Sequence, residues 1–533
     1  MSPATLTMPF GGPSRTRLFS FNGLTAQLLA QGLQPRHPMR SIQDLLVPSD
    51  ILEVIGRVDA PVRSLCTDSR RATPGSLFFA LPGRRTSGAA YVEEAVERGA
   101  VGVVSEEDIW VPRKAALIRV RDARAVLART ARAFHDQPQD ALELVGIAGT
   151  SGKTVVATLL RSLLDPEPPN GLLGTIHYHL GPRTLPSYRT TPEPVDLYSM
   201  LGQMRDYGCE RCILEVSSHG IDQGRVADLQ FGVAAFLNLG EQHLDYHGSM
   251  ETYFDTVQKV FDGRNGPPPR VAVVNADDPA SERLVAALPA SVRVVRFGLS
   301  TAADYTARDI VCERNGTRFT LHAGGETCPV ASPLLGRFNV ANALAALALA
   351  EALGLDRATL LARLAEAPTV RGRMEPIDEG QPFPVVVDYM HTLEAYREGL
   401  RTLRELTEGR LIVVYGCGGD RDRRARGPIT RAVADAADLV LATADNPRSE
   451  ALEEIFADMR AAVQAGDPIQ FVENRRHAIH LALEAAGPGD LVLIAGKGHE
   501  TYQEFTDTVM PFDDRAVARD LLRKKQRFEG GAC

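Results

Sequence analysis

The sequence predicts a three-domain α/β protein: a central P-loop-type domain on a mainly parallel sheet, flanked by a smaller N-terminal α/β domain and a C-terminal Rossmann-like α/β domain. Three observations predict it. The chain has 533 residues, 44% hydrophobic and 24% charged, enough apolar material for more than one core at roughly 150 residues per domain. From about residue 62, short β-branched or apolar runs alternate with stretches of helix length, the pattern of α/β units. That pattern restarts near Val370-Arg-Gly-Arg373. The expected divisions are an extension over 1–38 and domains over 39–122, 123–370 and 371–533.

In the first domain Leu77–Leu81 and Val101–Val104 read as strands, with Ala90–Val96 a helix between them. Met39 opens the first run that looks folded, and could itself be the initiator. The second domain opens on the apolar strand Leu142–Ala148, followed by a glycine turn and a helix from Lys153 through Leu164. Further strands are expected at Arg211–Val216, Val233–Asn238 and Val271–Asn275, with Gly266-Pro-Pro-Pro269 as a stiff loop. Strands separated by helix-length segments imply parallel pairing, with ligands at the carboxyl ends. In the third domain Val385–Asp388, Leu411–Tyr415, Leu439–Ala442 and Leu491–Ala495 are strands, each followed by a polar, acidic or glycine-rich turn.

Composition excludes some functions. The net charge is −8, and no basic block offers an electrostatic footprint for a nucleic acid. No stretch approaches the ~18 apolar residues of a membrane span, and 1–38 lacks a signal-peptide pattern. The seven cysteines are odd in number and scattered, unlike a disulfide framework, and Cys209-Glu-Arg-Cys212 has no second pair with which to build a zinc site. A reduced, cytoplasmic setting and a monomer are expected. Only six of the 59 basic residues are lysines. Arginine replaces lysine freely on a surface, so a lysine kept inside a motif points to chemistry that needs a compact ammonium.

Lys153 is one of these. Gly149-Thr-Ser-Gly-Lys-Thr154 sits between a predicted strand and a predicted helix, where backbone N–H groups and a helix N-terminus cradle phosphates. Counted from Gly146 the loop is one residue longer than the usual G-x-x-x-x-G-K-[ST], but the logic is the same: Lys153 reaches the phosphates and Thr154 can ligate Mg²⁺. Glu215 leaves a buried strand at the same edge, where a magnesium ligand would stand. His243-Leu-Asp-Tyr-His247 could bind a metal or be an ordinary loop.

In the third domain Gly416-Cys-Gly-Gly-Asp-Arg-Asp422, Asp445-Asn-Pro-Arg448 and Gly496-Lys-Gly-His-Glu500 each follow a strand. Three such turns at one sheet edge make a pocket with both charge signs. Arginine forks for carboxylates and Glu500 for an ammonium suit a zwitterionic small molecule.

These motifs, in this order from about Thr67 to Arg519, resemble the Mur ligase family, and within it the MurE type. The resemblance implies an ATP- and Mg²⁺-dependent ligase that adds the third amino acid to UDP-N-acetylmuramoyl-L-alanyl-D-glutamate in peptidoglycan precursor synthesis. The first domain would then bind the UDP portion, with Thr67 and Ser69 contacting it and 84–86 nearby. Thr190, Thr191, Ser217, Gln223 and Arg225 would touch the sugar-peptide. Gly149, Thr150, Ser151, Gly152, Lys153, Thr154 and Asn339 would hold ATP; Thr154, Glu215 and His243 would hold magnesium; Lys153, Glu215 and His243 would be catalytic. Arg421, Asp445, Asn446, Pro447, Arg448, Gly496 and Glu500 would recognise the incoming diamino acid. The Asp-Asn-Pro-Arg form favours meso-diaminopimelate over ornithine or lysine, its arginine holding the distal carboxylate.

The sequence departs from the family at three places. Val257 stands where a carbamylated lysine is usual, and Lys259, two residues on, lies roughly 200° around a helix. Gln242 replaces an aspartate, and Asp388-Tyr-Met-His-Thr392 continues with Leu-Glu in place of Pro-Asp. Two other readings fit these changes: a divergent Mur-like ligase with another acceptor, and a nucleotide-binding paralogue without ligase activity.

Overall fold

The computed structural model describes residues 39–83, 86–164 and 166–530, with no side chains given for 528–530. The extension over 1–38 and most of the 84–86 loop lie outside the described residues. Among the described residues three large sheets and one two-stranded sheet carry the chain.

The first sheet joins β1 (Ile51–Ile55), β2 (Ser64–Cys66), β3 (Ser76–Ala80), β4 (Ala100–Ser105) and β5 (Ala116–Val120) in the order β1-β5-β4-β3-β2. The segment expected to be one helix over Ala90–Val96 is a 3₁₀ turn, Gly88–Tyr91, followed by a helix over Val92–Glu97.

The second sheet contains β6 (Glu143–Ala148), β7 (Asn170–Leu173), β8 (His177–His179), β9 (Thr184–Pro186), β10 (Arg211–Val216), β11 (Val233–Phe236), β12 (Val271–Asn275), β13 (Arg293–Gly298), β14 (Tyr305–Glu313), β15 (Gly316–Ala323) and β16 (Glu326–Ser332). Its order is β16-β15-β14-β13-β12-β11-β6-β10-β7-β8-β9. Strands β7, β10, β6, β11, β12 and β13 are parallel. Antiparallel extensions flank them on both sides. The two-residue period of β6 sorts its side chains cleanly: Leu144 and Ala148 enter one core, Val145 and Ile147 the other. The helices Lys153–Leu163 and Arg337–Ala352 cover the second face. The first face shares a single apolar core with the first sheet, running from Ile42, Phe79 and Ile118 through the helix Ala123–Phe134 to Leu214 and Val274.

The third sheet holds β17 (Glu375–Ile377), β18 (Val385–Asp388), β19 (Leu411–Tyr415), β20 (Leu439–Thr443), β21 (Ile469–Val472) and β22 (Leu491–Ala495), ordered β17-β18-β22-β19-β20-β21. All but β17 run parallel. This domain has a core on each face, and the first also takes in Leu335 and Phe338 from the central domain. A hairpin, β23 (Tyr502–Phe505) and β24 (Thr508–Pro511), forms a separate two-stranded sheet that meets the turn after β20 through a bridge between Phe505 and Arg448.

Candidate functional site

Strand β6 ends at Ala148 and leads into Gly149, and the helix Lys153–Leu163 starts after Gly152, whose φ of 87° an L side chain rarely adopts. A Cβ at Gly152 would meet Asn342 Oδ1 at 2.5 Å, so glycine also admits the neighbouring helix. The Lys153 ammonium donates to the carbonyls of Gly149 at 2.6 Å and Thr150 at 2.9 Å, which holds it at the centre of the loop. Burial pulls it down to about 8, with nearby Glu215 opposing.

Asn238, just past β11, clamps the loop. Its carbonyl accepts from Thr150 N, its Oδ1 accepts from Ser151 N at 2.8 Å, and its Nδ2 donates to Ser151 O. The Thr150 hydroxyl in turn shares a 2.9 Å hydrogen bond with Tyr253. Neither Asn238 nor Tyr253 carries a motif signature. Asn339 is buried at the start of its helix, donating to Leu335 O and accepting from Asn342. It therefore reaches the loop through Asn342.

Glu215 is fully buried. Its Oε2 accepts from the hydroxyls of Thr154 and Thr175, both at 2.8 Å, and its Oε1 from Thr175 N at 2.9 Å. One carboxylate with two hydroxyls is a hard oxygen set suited to Mg²⁺, which completes its shell with phosphate oxygens and water. His243 has a φ of 58° and caps the short helix Leu244–His247. Burial, then His219 and Lys153, push its imidazole down to about 3, leaving it neutral with a lone pair available. Among the described residues no three His, Cys, Asp or Glu side chains converge on a metal position. Val257 is buried in the first core, while Lys259 lies past the helix Met250–Gln258, 4.0 Å from Asp255. Cys209 and Cys212 are buried thiols whose ionisation burial opposes.

The sugar-peptide candidates form one network at this edge. Thr190 Oγ1 is 3.1 Å from Thr175 Oγ1, which places it one hydroxyl away from Glu215. Thr191 Oγ1 donates to Glu215 O and lies 3.0 Å from Ser217 Oγ. Arg225 donates to Thr191 O and Gln223 Oε1 and pairs with Glu193. Thr67 and Ser69 lie apart from this network on the first domain, and the Ser69 hydroxyl donates to Glu94. The two groups are tied through Arg71, which makes a two-pronged ion pair with Asp196, itself bonded to the Tyr188 hydroxyl.

In the third domain the expected turns do lie on adjacent strands, β22, β19 and β20. Gly419 must be glycine, because a Cβ there would sit 1.7 Å from Pro447 O. Asn446 Nδ2 donates to Glu500 Oε2 at 2.9 Å, and Lys497 Nζ donates to both Asn446 Oδ1 and Glu500 Oε2. Arg475 and Asp514 form a fully buried ion pair beneath them. From it Arg475 donates to Ala495 O, next to Gly496, and to Ala444 O, next to Asp445. Burial holds the His391 imidazole below its ordinary range, with Arg373 and Arg421 adding to that and the Tyr389 carbonyl and Asp445 opposing it, and the His391 ring meets Gln242 of the central domain at 3.0 Å. Gln242 thus joins the two domains between phosphate loop and charged pocket.

Fold and site together define a three-domain, phosphate-binding α/β enzyme. The Mur ligase middle domain matches residues 147–350, the Mur ligase glutamate ligase domain 372–498, and the catalytic domain of the Mur ligase family 61–135. The chain belongs to the Mur ligase family. Among similar curated proteins are two named UDP-N-acetylmuramoyl-L-alanyl-D-glutamate–2,6-diaminopimelate ligase. That of Solibacter usitatus is 44% identical, covering 87% of this chain and 94% of the relative. That of Geobacillus thermodenitrificans is 41% identical over 86% and 94%. A solved structure under the same name is 32% identical with a TM-score of 0.62, covering 92% of this chain and 100% of that one. MurF of Thermotoga maritima in complex with ADP shares the fold at 20% identity and a TM-score of 0.60, over 88% and 99%. No helix among the described residues is long and apolar enough to cross a membrane.

Proposed function

We propose that this protein is the ATP-dependent ligase that adds meso-diaminopimelate to UDP-N-acetylmuramoyl-L-alanyl-D-glutamate in peptidoglycan precursor synthesis. The observation that carries the reading is the placement of a phosphate loop and buried Glu215 on one side of the Gln242–His391 contact, with the Asn446–Lys497–Glu500 pocket on the other. Relatives of that name across most of the chain support the substrate.

In this reading residues 39–122 hold the UDP portion through Thr67 and Ser69, 123–370 form the ATP-binding domain and 371–533 the amino-acid domain. The N–H groups of 149–154 and Lys153 orient the ATP triphosphate, and Asn339 supports the loop. Thr154, Glu215 and His243 would hold Mg²⁺, which would supply charge neutralisation for the phosphate oxygens. Thr190, Thr191, Ser217, Gln223 and Arg225 place the D-glutamate side-chain carboxylate in line with the γ-phosphate. Phosphoryl transfer gives an acyl phosphate and ADP; the diamino acid's amine attacks the acyl carbon, phosphate leaves, and the amine proton is lost. Arg421, Asp445, Asn446, Pro447, Arg448, Gly496 and Glu500 aim that amine, so positioning and charge neutralisation supply most of the rate. Domain closure shields the acyl phosphate from water. Free thiols among the described cysteines favour a cytoplasmic setting.

The test supplies the UDP-linked dipeptide, ATP and Mg²⁺ with meso-diaminopimelate, lysine or ornithine, following ADP and coupled product. Product with meso-diaminopimelate is expected. ATP binding without acceptor-dependent ADP release would support the nucleotide-binding paralogue instead.

A further inference from the structure

The Arg448 side chain is held from two sides. Its Nε donates to Glu504 Oε2 at 3.0 Å and its Nη1 to Gly419 O at 2.7 Å, while Nη2 makes no hydrogen bond among the described residues. Arg448 is 18% exposed and Glu504 40%. Hairpin β23–β24 fixes this meeting by its backbone. Arg448 N donates to Glu504 O, Glu504 N donates to Asn446 Oδ1, and Gln503 Nε2 donates to the carbonyls of Ala444 and Asp445. The Thr506 hydroxyl closes the set on Arg448 O. Three hairpin residues, Gln503, Glu504 and Thr506, thus grip the Ala444–Arg448 segment, and the register that results puts a carboxylate on Arg448.

That carboxylate has two opposed effects. It locks the guanidinium plane, which leaves the Nη2 end for an incoming carboxylate in a preset direction. It also cancels the charge that would attract such a ligand, so a second carboxylate arrives beside one already present. We infer that Glu504 is a specificity-determining residue: the Arg448–Glu504 pair, and not Arg448 alone, sets how strongly a diamino acid with a distal carboxylate is preferred. The inference rests on the reading of Arg448 as the seat of that carboxylate. Glu504 holds the arginine in aim and limits its pull.

The full-length protein with Glu504→Gln tests it, because glutamine keeps an acceptor for Nε and removes only the charge. Steady-state ligation should show KM for meso-diaminopimelate lowered about three- to tenfold, with kcat and the KM for ATP unchanged. In an equimolar mixture with L-lysine, the share of diaminopimelate product should rise. A KM for diaminopimelate within twofold of the wild-type value, or raised, overturns the inference. Arg448→Met is the separate control on the underlying reading. If it leaves the KM for diaminopimelate unmoved, the carboxylate seat is wrongly placed and both ideas fall. If Arg448→Met raises that KM while Glu504→Gln changes nothing, only the role of Glu504 is lost.

Discussion

Lys497 and Glu500, three residues apart in the turn after β22, form an ion pair, Nζ to Oε2 2.7 Å, with the lysine fully buried. The same ammonium donates to Asn446 Oδ1 at 2.8 Å, so one cation sets the orientation of two pocket residues on different strands' turns. A guanidinium is too wide and too planar to make both contacts from that position.

Lys497→Met should therefore raise the KM for the diamino acid by about tenfold or more, since removing one partner leaves a shielded carboxylate uncompensated. Lys497→Arg should fail to restore it. The KM for ATP should stay near the wild-type value in both. Equal loss toward both substrates would show that the lysine only holds the fold.

Thr175 bonds both oxygens of Glu215 and touches Thr190. Thr175→Val keeps the backbone N–H but removes the hydroxyl. Outer partners of a metal-holding carboxylate are worth about 10- to 100-fold in metal affinity, so the Mg²⁺ concentration for half-maximal ADP formation should rise by about tenfold. An unchanged magnesium curve would assign Thr175 no part in holding the ion.

Asp388 ends β18 and accepts from Met374 N at 2.6 Å. Burial raises its carboxyl from the usual range to about 6, against the opposing pull of Arg373. The fold thus favours the protonated acid. Its contribution to stability is complete below the ordinary carboxyl pKa near 4 and is lost as pH rises through about 6. Thermal unfolding from pH 4.5 to 7.5 should show the wild type losing ground to Asp388→Asn as pH rises, with parallel profiles as the contrary result.

The parallel strands were readable because each is a short apolar run ending in a polar turn. Arg211–Val216, Val271–Asn275 and Leu411–Tyr415 fall at their expected residues. The antiparallel ribbon β14–β16 escaped, since its exposed polar residues, Arg308, Arg318 and Glu326 among them, break up any apolar run. Within the site, glycine and charge signatures led to the loop and the three pocket turns. Thr175, Asn238, Asn342 and Glu504 had no such signal: each is a single ordinary polar residue in a loop, on a helix or in a hairpin. Their importance comes from which chain segment folds against them, and that is a property of long-range topology.

The shared core of the first two sheets, together with the Arg71–Asp196 pair, makes them one mechanical body, whereas the third sheet is filled mostly by its own side chains, with Leu335 and Phe338 of the central domain entering one of its two cores. A part whose interior is mostly its own can accumulate substitutions away from Leu335 and Phe338 without unsettling its neighbour. On the proposed function, acceptor choice is then separable from the phosphate chemistry, and a chimera that takes a relative's third domain, with the Leu335 and Phe338 contacts matched, should change the amino acid added while leaving the KM for ATP in place.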